Sequence, residues 1–237
     1  MEDYGRLILF SAIGYLIGSV SFARTVFALR RPGEEPVRIT SVSTDGEAVI
    51  TTHAVGATSV MMAMGKKWGI LTMVLDLLKA FVPMVILRVM YPLESYHLLA
   101  GLFVLIGHLW PVFYRFRGGG GNSTVMGMML AASPLGFLVT QVGGMAFGMI
   151  SPSLTFIAVV ALSIPWFMVT EGVLSYETLF AFLMTFFYLL AQYPETRAYL
   201  RYKKEGHTFD TKHVVNMMKH ASKMKTDKNQ EGKKGTL

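Results

Sequence analysis

The 237-residue chain has no cysteine, which removes disulfide frameworks, thiolate metal sites and cysteine nucleophiles from consideration. Charge is also scarce. Charged residues make up 16% against 52% hydrophobic, a balance that excludes both an ordinary soluble domain and a disordered chain. A cleavable signal is excluded because the first apolar run, 7–29, is too long, follows Glu2 and Asp3 rather than a basic region, and leads into Arg30 and Arg31. The formal charge is +7, but the basic residues sit at the ends of apolar runs and in the tail. There they orient a membrane protein rather than grip nucleic acid. The expected class is therefore all-α, a polytopic transmembrane helical bundle surrounded by membrane lipids, with no nucleic-acid partner.

Runs 7–29, 68–91 and 96–114 each approach or exceed the roughly 20 residues that a bilayer crossing needs. The polar stretch 30–67 between the first two is long enough to be a functional loop. A fourth apolar stretch, 124–150, is interrupted by Ser133-Pro134-Leu135-Gly136, a helix-breaking signal. Charge decides how to count it. Glu94, Glu171 and Glu177 stand in connections without Lys or Arg, so those face outward; the 30–67 loop, the Arg115/Arg117 loop and the tail are basic and face inward. Going from an inside loop at 117–123 to an outside turn at Glu171 takes an odd number of crossings. Residues 124–133 and 136–150 therefore count separately, followed by 153–169 and 175–192.

About seven apolar segments result, and 124–133 is too short to cross unaided, so it is expected to be shielded by protein or re-entrant. The domain reading is a transmembrane helical domain over 1–193 and a basic cytoplasmic tail over 194–237. The tail carries 11 Lys or Arg against 5 acids, and its last part is expected to be disordered. The N-terminus is expected outside and the C-terminus inside.

Chemistry concentrates in Arg117-Gly118-Gly119-Gly120-Gly121-Asn122-Ser123-Thr124. Glycine runs usually make flexible turns, but residues without Cβ can also bring backbone N–H groups onto an anion. Arg117 and the side chains of Asn122, Ser123 and Thr124 suit a phosphate, and a helix starting near Thr124 would aim its positive end at the same place. Asp76 and Lys79, three apart within the second apolar run, can form an ion pair or serve the active site. His108 stands near the end of the third run beside Trp110 and Pro111, where a hydrogen-bonded structural role competes with that of a base.

Several stretches together resemble one family, the bacterial integral-membrane acyl-phosphate:glycerol-3-phosphate acyltransferases. Gly18-Ser19-Val20-Ser21-Phe22 is similar to the family's Gly-Ser-Ile-Pro-Phe. Val55-Gly56-Ala57-Thr58-Ser59, Gly65-Lys66-Lys67-Trp68-Gly69 and Asp76-Leu77-Leu78-Lys79 follow its Ile-Gly-Ala-Thr-Asn, Gly-Lys-Lys-x-Gly and Asp-Leu-Leu-Lys in order and spacing. Most specific is Gly107-His108-Leu109-Trp110-Pro111-Val112-Phe113 with Arg115-Phe116-Arg117-Gly118-Gly119-Gly120-Gly121, which resembles Gly-His-x-x-Pro-x-Phe-x-x-Phe-Lys-Gly-Gly-Lys-Gly. Ser153-Leu154-Thr155 resembles the family's Ser-Leu-Ser.

The resemblance implies acyl transfer from acyl phosphate to glycerol 3-phosphate, giving lysophosphatidate in phospholipid synthesis, with no cofactor and no metal. It implies reaction roles for Ser19, Arg38, Ser153 and His108. It implies phosphate contacts from Arg117, Gly118, Gly119, Gly120, Gly121, Asn122 and Thr58, which the count of crossings puts at the cytoplasmic side. The departures fall on polar positions: Gly120 stands where the family has a second lysine, Arg117 where it has the first, and Thr51-Thr52-His53-Ala54 where it has Gly-Ser-Gly-Asn. Tyr193 and Thr196 replace a C-terminal His and Asn, and His53 becomes a further candidate proton acceptor. Two other readings compete. One is a non-catalytic paralogue that keeps a phosphate or lipid-headgroup pocket; the other, a solute transporter, would need polar residues along a through-path at the bilayer midplane.

Overall fold

The structure, a computed structural model, describes residues 2–34, 36, 39–52, 54–150 and 154–207. Arg38, His53, Ser153 and the tail beyond His207 lie outside the described residues. Nine α-helices and one short hairpin are present among the described residues, and the chain divides into two compact units. Three helical stretches, Tyr4–Arg30, Lys66–Met90 and Tyr96–Tyr114, are long and apolar enough to cross a membrane. Pro134–Met149 and Thr155–Thr170 are shorter apolar helices.

The first unit comprises Met1–Ser21 and Val74–Tyr193. Helix α1, Glu2–Ser19, packs against α5, Tyr96–Leu109, through small residues that let the two backbones touch. A Cβ on Gly18 would lie 2.1 Å from Val104 O, and one on Gly107 would lie 2.2 Å from Tyr15 O. No side chain larger than hydrogen fits at either place without parting the helices.

The apolar run 7–29 falls within one candidate span, Tyr4–Arg30, as expected, but its helix is interrupted: α1 stops at Ser19, and a separate helix α2, Phe22–Arg30, begins in the second unit. Where α1 ends, the carbonyls of Gly18 and Val20 accept from Lys79 Nζ at 3.1 and 2.9 Å. Lys79 belongs to α4, Lys66–Met90, which starts in the second unit and continues into the first.

The break at residue 133 is present as expected. Helix α6, Asn122–Ala132, gives way to α7, Pro134–Ile150, with Ser133 extended between them and Pro134 at the first helical position. Arg88 of α4 donates to Ala131 O and Ala132 O at 2.8 and 3.1 Å, meeting carbonyls that the end of α6 leaves open. Ser133 Oγ accepts from Gly136 N and from Trp166 Nε1, both at 3.1 Å; Trp166 lies on α8, Leu154–Thr170. Eleven residues of α6 extend only about 16 Å, short of the roughly 30 Å hydrocarbon core. Its inner face, Val125, Met128, Met129 and Ala131, is buried in the core of this unit with Met84, Leu105, Phe167, Phe180 and Met184. Helix α9, Tyr176–Lys204, runs past the expected end at 192, with Pro194 inside it.

The second unit comprises Phe22–Met73 and Pro194–Leu237. Ala23, Val26 and Phe27 of α2 pack on Val60 and Met64 of α3, Ala57–Met64, and Arg30 stacks 4.2 Å from the Trp68 ring. The stretch read as a polar loop contains an antiparallel hairpin, β1 Thr40–Val42 with β2 Val49–Thr51, in register Thr40 to Thr51. Its tip is held by Ser43 Oγ, which accepts from Ala48 N at 2.8 Å and itself donates to Asp45. Asp45 also meets His207 Nδ1 at 2.7 Å, and Thr52 bonds Glu195. The Ser43 hydroxyl, His207 and the Glu47 amide hold the Asp45 carboxyl well below the usual carboxylate range. The hydrogen bond that His207 donates to Asp45, in turn, raises its pKa above that of an ordinary histidine.

Candidate functional site

Asp76 and Lys79 lie one helical turn apart on α4 and form the expected ion pair, 3.0 Å from Nζ to Oδ1, with both residues buried. Lys79 Nζ also lies 2.7 Å from His108 Nδ1, at the end of α5. With the two α1 carbonyls, four acceptors surround an ammonium that has three protons, so at least one contact is electrostatic without its own hydrogen bond. An ammonium has only donors to offer, so Lys79 as a cation leaves Nδ1 the acceptor of this contact, which favours the tautomer with its proton on Nε2. Asp76 Oδ1 lies 3.7 Å from His108 Nδ1, so the carboxylate, the ammonium and the imidazole form one cluster.

The third apolar stretch runs from Tyr96 to Tyr114 as expected, but its α-helix α5 ends at Leu109, just beyond His108. Pro111 cannot continue the helix, and a 3₁₀ turn, Val112–Tyr114, follows. Ser19 is fully buried, and its Oγ accepts from Val112 N at 3.4 Å, so it braces the start of this loop. Arg115 and Phe116 both take positive φ, 52° and 59°, and reverse the chain toward the glycines. Phe116 N donates to Pro111 O at 3.0 Å, and Arg117 N to Tyr114 O at 3.1 Å.

The four glycines differ in what they face. Gly118 sits directly on the α5 terminus, where an added Cβ would be 2.0 Å from His108 O and 2.4 Å from Leu109 O. Gly119 N donates to His108 O at 3.0 Å, so its amide is committed inside the protein. Gly120 is open: an added Cβ would meet only Gln192 Nε2, at 3.9 Å. Gly121, at φ +85°, is the N-cap of α6 and gives that end no capping side chain. The first-turn amides of α6 have no partners within the helix, and they sit where the loop delivers Asn122.

Thr124, the third residue of α6, is buried with its hydroxyl 3.5 Å from Asp76 O, and an added Cβ on Gly127 would be 2.2 Å from Leu77 O. Helix α6 therefore lies directly on the stretch of α4 that carries the ion pair. Two residues of α9 that sequence reading passed over reach the loop: Tyr188 OH donates to Asn122 Oδ1 at 2.6 Å, and Gln192 Nε2 donates to Gly120 O at 3.1 Å. Two polar side chains four apart in an apolar run were the available signal.

The structure thus brings together Ser19, His108, Gly118–Gly121 and Asn122 from the expected site, adding Asp76, Lys79, Tyr188 and Gln192, all within the first unit. Arg117 is on the same loop with its side chain exposed. Thr58 is an exposed residue of α3 in the second unit.

A family model described as glycerol-3-phosphate acyltransferase matches residues 8–201. Curated relatives of that name include one from Aquifex aeolicus (strain VF5), 36% identical over 129 residues, covering 54% of this chain and 59% of that protein. Another, from Mycoplasma mycoides subsp. mycoides SC, is 30% identical over 180 residues and covers 72% of this chain and 65% of that protein. The matches thus span about three fifths of the relatives' length, 59% and 65%. Among solved structures, the crystal structure of PlsY (YgiH), an integral membrane glycerol 3-phosphate acyltransferase in its glycerol 3-phosphate form, is similar with a TM-score of 0.69. It is 26% identical, and the match covers 88% of this chain and 98% of that one. Its lysophosphatidic acid form gives 0.67.

Proposed function

This chain belongs to the glycerol-3-phosphate acyltransferase family, and from that premise we propose that it moves a fatty acyl group from an acyl phosphate to glycerol 3-phosphate, giving lysophosphatidate. The observation that carries the proposal is the loop 117–122, folded against the Asp76–Lys79–His108 cluster at the unpartnered N-terminal turn of α6. In the reaction a glycerol hydroxyl oxygen attacks the acyl carbonyl carbon. The carbon–oxygen bond to phosphate breaks, phosphate leaves with the electron pair, and the hydroxyl proton ends on that phosphate.

No covalent enzyme intermediate is needed. The protein has only to hold two anionic groups together, stabilise the developing oxyanion and orient the hydroxyl. Arg117, Asn122 and the amides at the start of α6 hold phosphate, and His108 acts as a hydrogen-bond donor through Nε2 or as a brace for the loop. Ser19 shapes the loop from below. Arg38, Thr58 and Ser153 enter the proposal through the family resemblance alone.

The test is steady-state kinetics of purified protein with acyl phosphate and glycerol 3-phosphate, with acyl-CoA and acyl carrier protein as alternative donors. A charge-assisted hydrogen bond is worth roughly 1.5–3 kcal/mol, so Arg117→Ala should raise KM by about 10- to 100-fold with little change in kcat if the guanidinium grips phosphate equally before and at the transition state. A fall in kcat as well would mean that Arg117 stabilises charge developing on the leaving phosphate. Binding without turnover for any donor would favour the non-catalytic reading, which the glycine at position 120 makes worth testing.

The orientation we propose places the N-terminus outside and the C-terminus and loop 117–122 on the cytoplasmic side, because Arg115, Arg117 and the tail are basic while the connections bearing Glu94 and Glu171 are not. Arg115→Cys supplies a unique thiol on an exposed residue of a cysteine-free chain. Its modification by impermeant reagents should require access to the cytoplasmic side, and labelling from the outside alone would reverse the topology.

A further inference from the structure

Resting on that reading of the loop as a phosphate site, we propose that Tyr188 and Gln192 of α9 are positioning residues that sort the loop's hydrogen-bonding groups, drawing acceptors to one side so that donors face the phosphate. Their spacing of four residues sets them on one face of the helix. A carboxamide has one acceptor oxygen and a nitrogen with two donors. Tyr188 OH donates to Asn122 Oδ1 at 2.6 Å, which occupies the acceptor end and turns Nδ2 away from α9. Tyr188 is 3% exposed, so the phenol is fixed by packing and the amide it holds cannot easily flip.

Gln192 acts on the backbone in the same sense. Its Nε2 donates to Gly120 O at 3.1 Å. In a trans peptide the carbonyl and the following N–H point in opposite directions, so drawing Gly120 O toward α9 turns the Gly121 N–H away from it. The two α9 side chains thus take up the two acceptors, Gly120 O and Asn122 Oδ1, that would repel an anion. Two donor groups, Gly121 N–H and Asn122 Nδ2, are left on the other side, next to the first-turn amides of α6. An unsorted loop could still fold, but it would offer an anion a mixture of lone pairs and protons. Gly120 lacks the family's lysine, so this sorting carries more of the phosphate recognition here than it would beside a second cation.

The experiment uses the full chain in lipid nanodiscs, with calorimetric titration by glycerol 3-phosphate, steady-state kinetics for each substrate separately and thermal unfolding. Tyr188→Phe keeps the ring and loses the donor, so the KM of the substrate whose phosphate sits on the loop should rise about tenfold while kcat stays within about twofold. Gln192→Met should shift the same KM in the same direction by a smaller factor, and it decides the matter if Tyr188→Phe does not fold. The substrate whose KM moves identifies the phosphate held. If the wild type turns over and both variants keep its KM values, or if kcat and thermal stability fall together with KM unchanged, the sorting role is wrong and the acyltransferase reading stands. If the wild type binds glycerol 3-phosphate without turnover and the variants bind it more weakly, the sorting role stands and the acyltransferase reading fails. A wild type that neither binds nor turns over overturns both.

Discussion

Lys79→Met should lower the unfolding free energy by about 3–5 kcal/mol, the usual consequence of stripping one partner from a buried ion pair. Lys79 is 6% exposed, and its ammonium serves three parts of the structure at once: the Asp76 carboxylate, the imidazole of His108 and the two carbonyls where α1 ends. Removing it leaves a buried carboxylate without its cation and strands Gly18 O and Val20 O, each costing about 1–3 kcal/mol when unmet. Asp76→Asn alone should be milder, because Lys79 keeps its carbonyls and imidazole. The double variant, Asp76→Asn with Lys79→Met, should recover part of the loss, since neutralising a whole pair is often tolerated. It should not recover all of it, because the α1 carbonyls stay open. Chemical unfolding in mild detergent, followed by tryptophan fluorescence, measures all three; a Lys79→Met protein with the wild-type midpoint would show that the cluster does not hold the fold.

Much of the architecture was legible because hydropathy and punctuation are local signals. Ser133-Pro134 marked a helix break, and α6 and α7 meet there; Asp76 and Lys79 stood at helical spacing, and they pair. The interruption of the first apolar run was not legible. Residues 18–20 contain no helix breaker stronger than Gly18, and the side chain that meets the carbonyls there is a lysine 59 residues from Val20. The hairpin at Thr40–Thr51 was hidden by a composition rich in Thr, Ser and charge, although Val42, Val49 and Ile50 gave it a weak β signal. In the site, the glycine run was recognisable as a loop against which an anion could rest. Which of its amides point inward depends on the α5 terminus and on α9, contacts that spacing along the chain does not encode.

That difference among the glycines gives the sharpest expected contrast. Gly118→Ala should reduce kcat/KM by about 100-fold or more, whereas Gly120→Ala should stay within about twofold of wild type. A Cβ on residue 118 would meet His108 O at 2.0 Å and Leu109 O at 2.4 Å, and both atoms are backbone in the last turn of α5, so neither can rotate away. The loop would have to lift off the helix end by about an ångström, stretching the Gly119 N to His108 O bond and shifting the start of α6 with Asn122. A displacement of about 1 Å in groups that orient substrate can cost about a hundredfold in rate. At residue 120 the nearest atom is the end of a flexible glutamine at 3.9 Å, so a methyl group enters open space. The same opening admits Gly120→Lys, which should lower the KM of the phosphate substrate by adding a second cation beside Arg117. Kinetics of the three variants, with thermal unfolding to confirm that each folds, would place the reacting groups. If Gly118→Ala and Gly120→Ala behave alike, the contact between the loop and the α5 terminus has no part in holding the substrate.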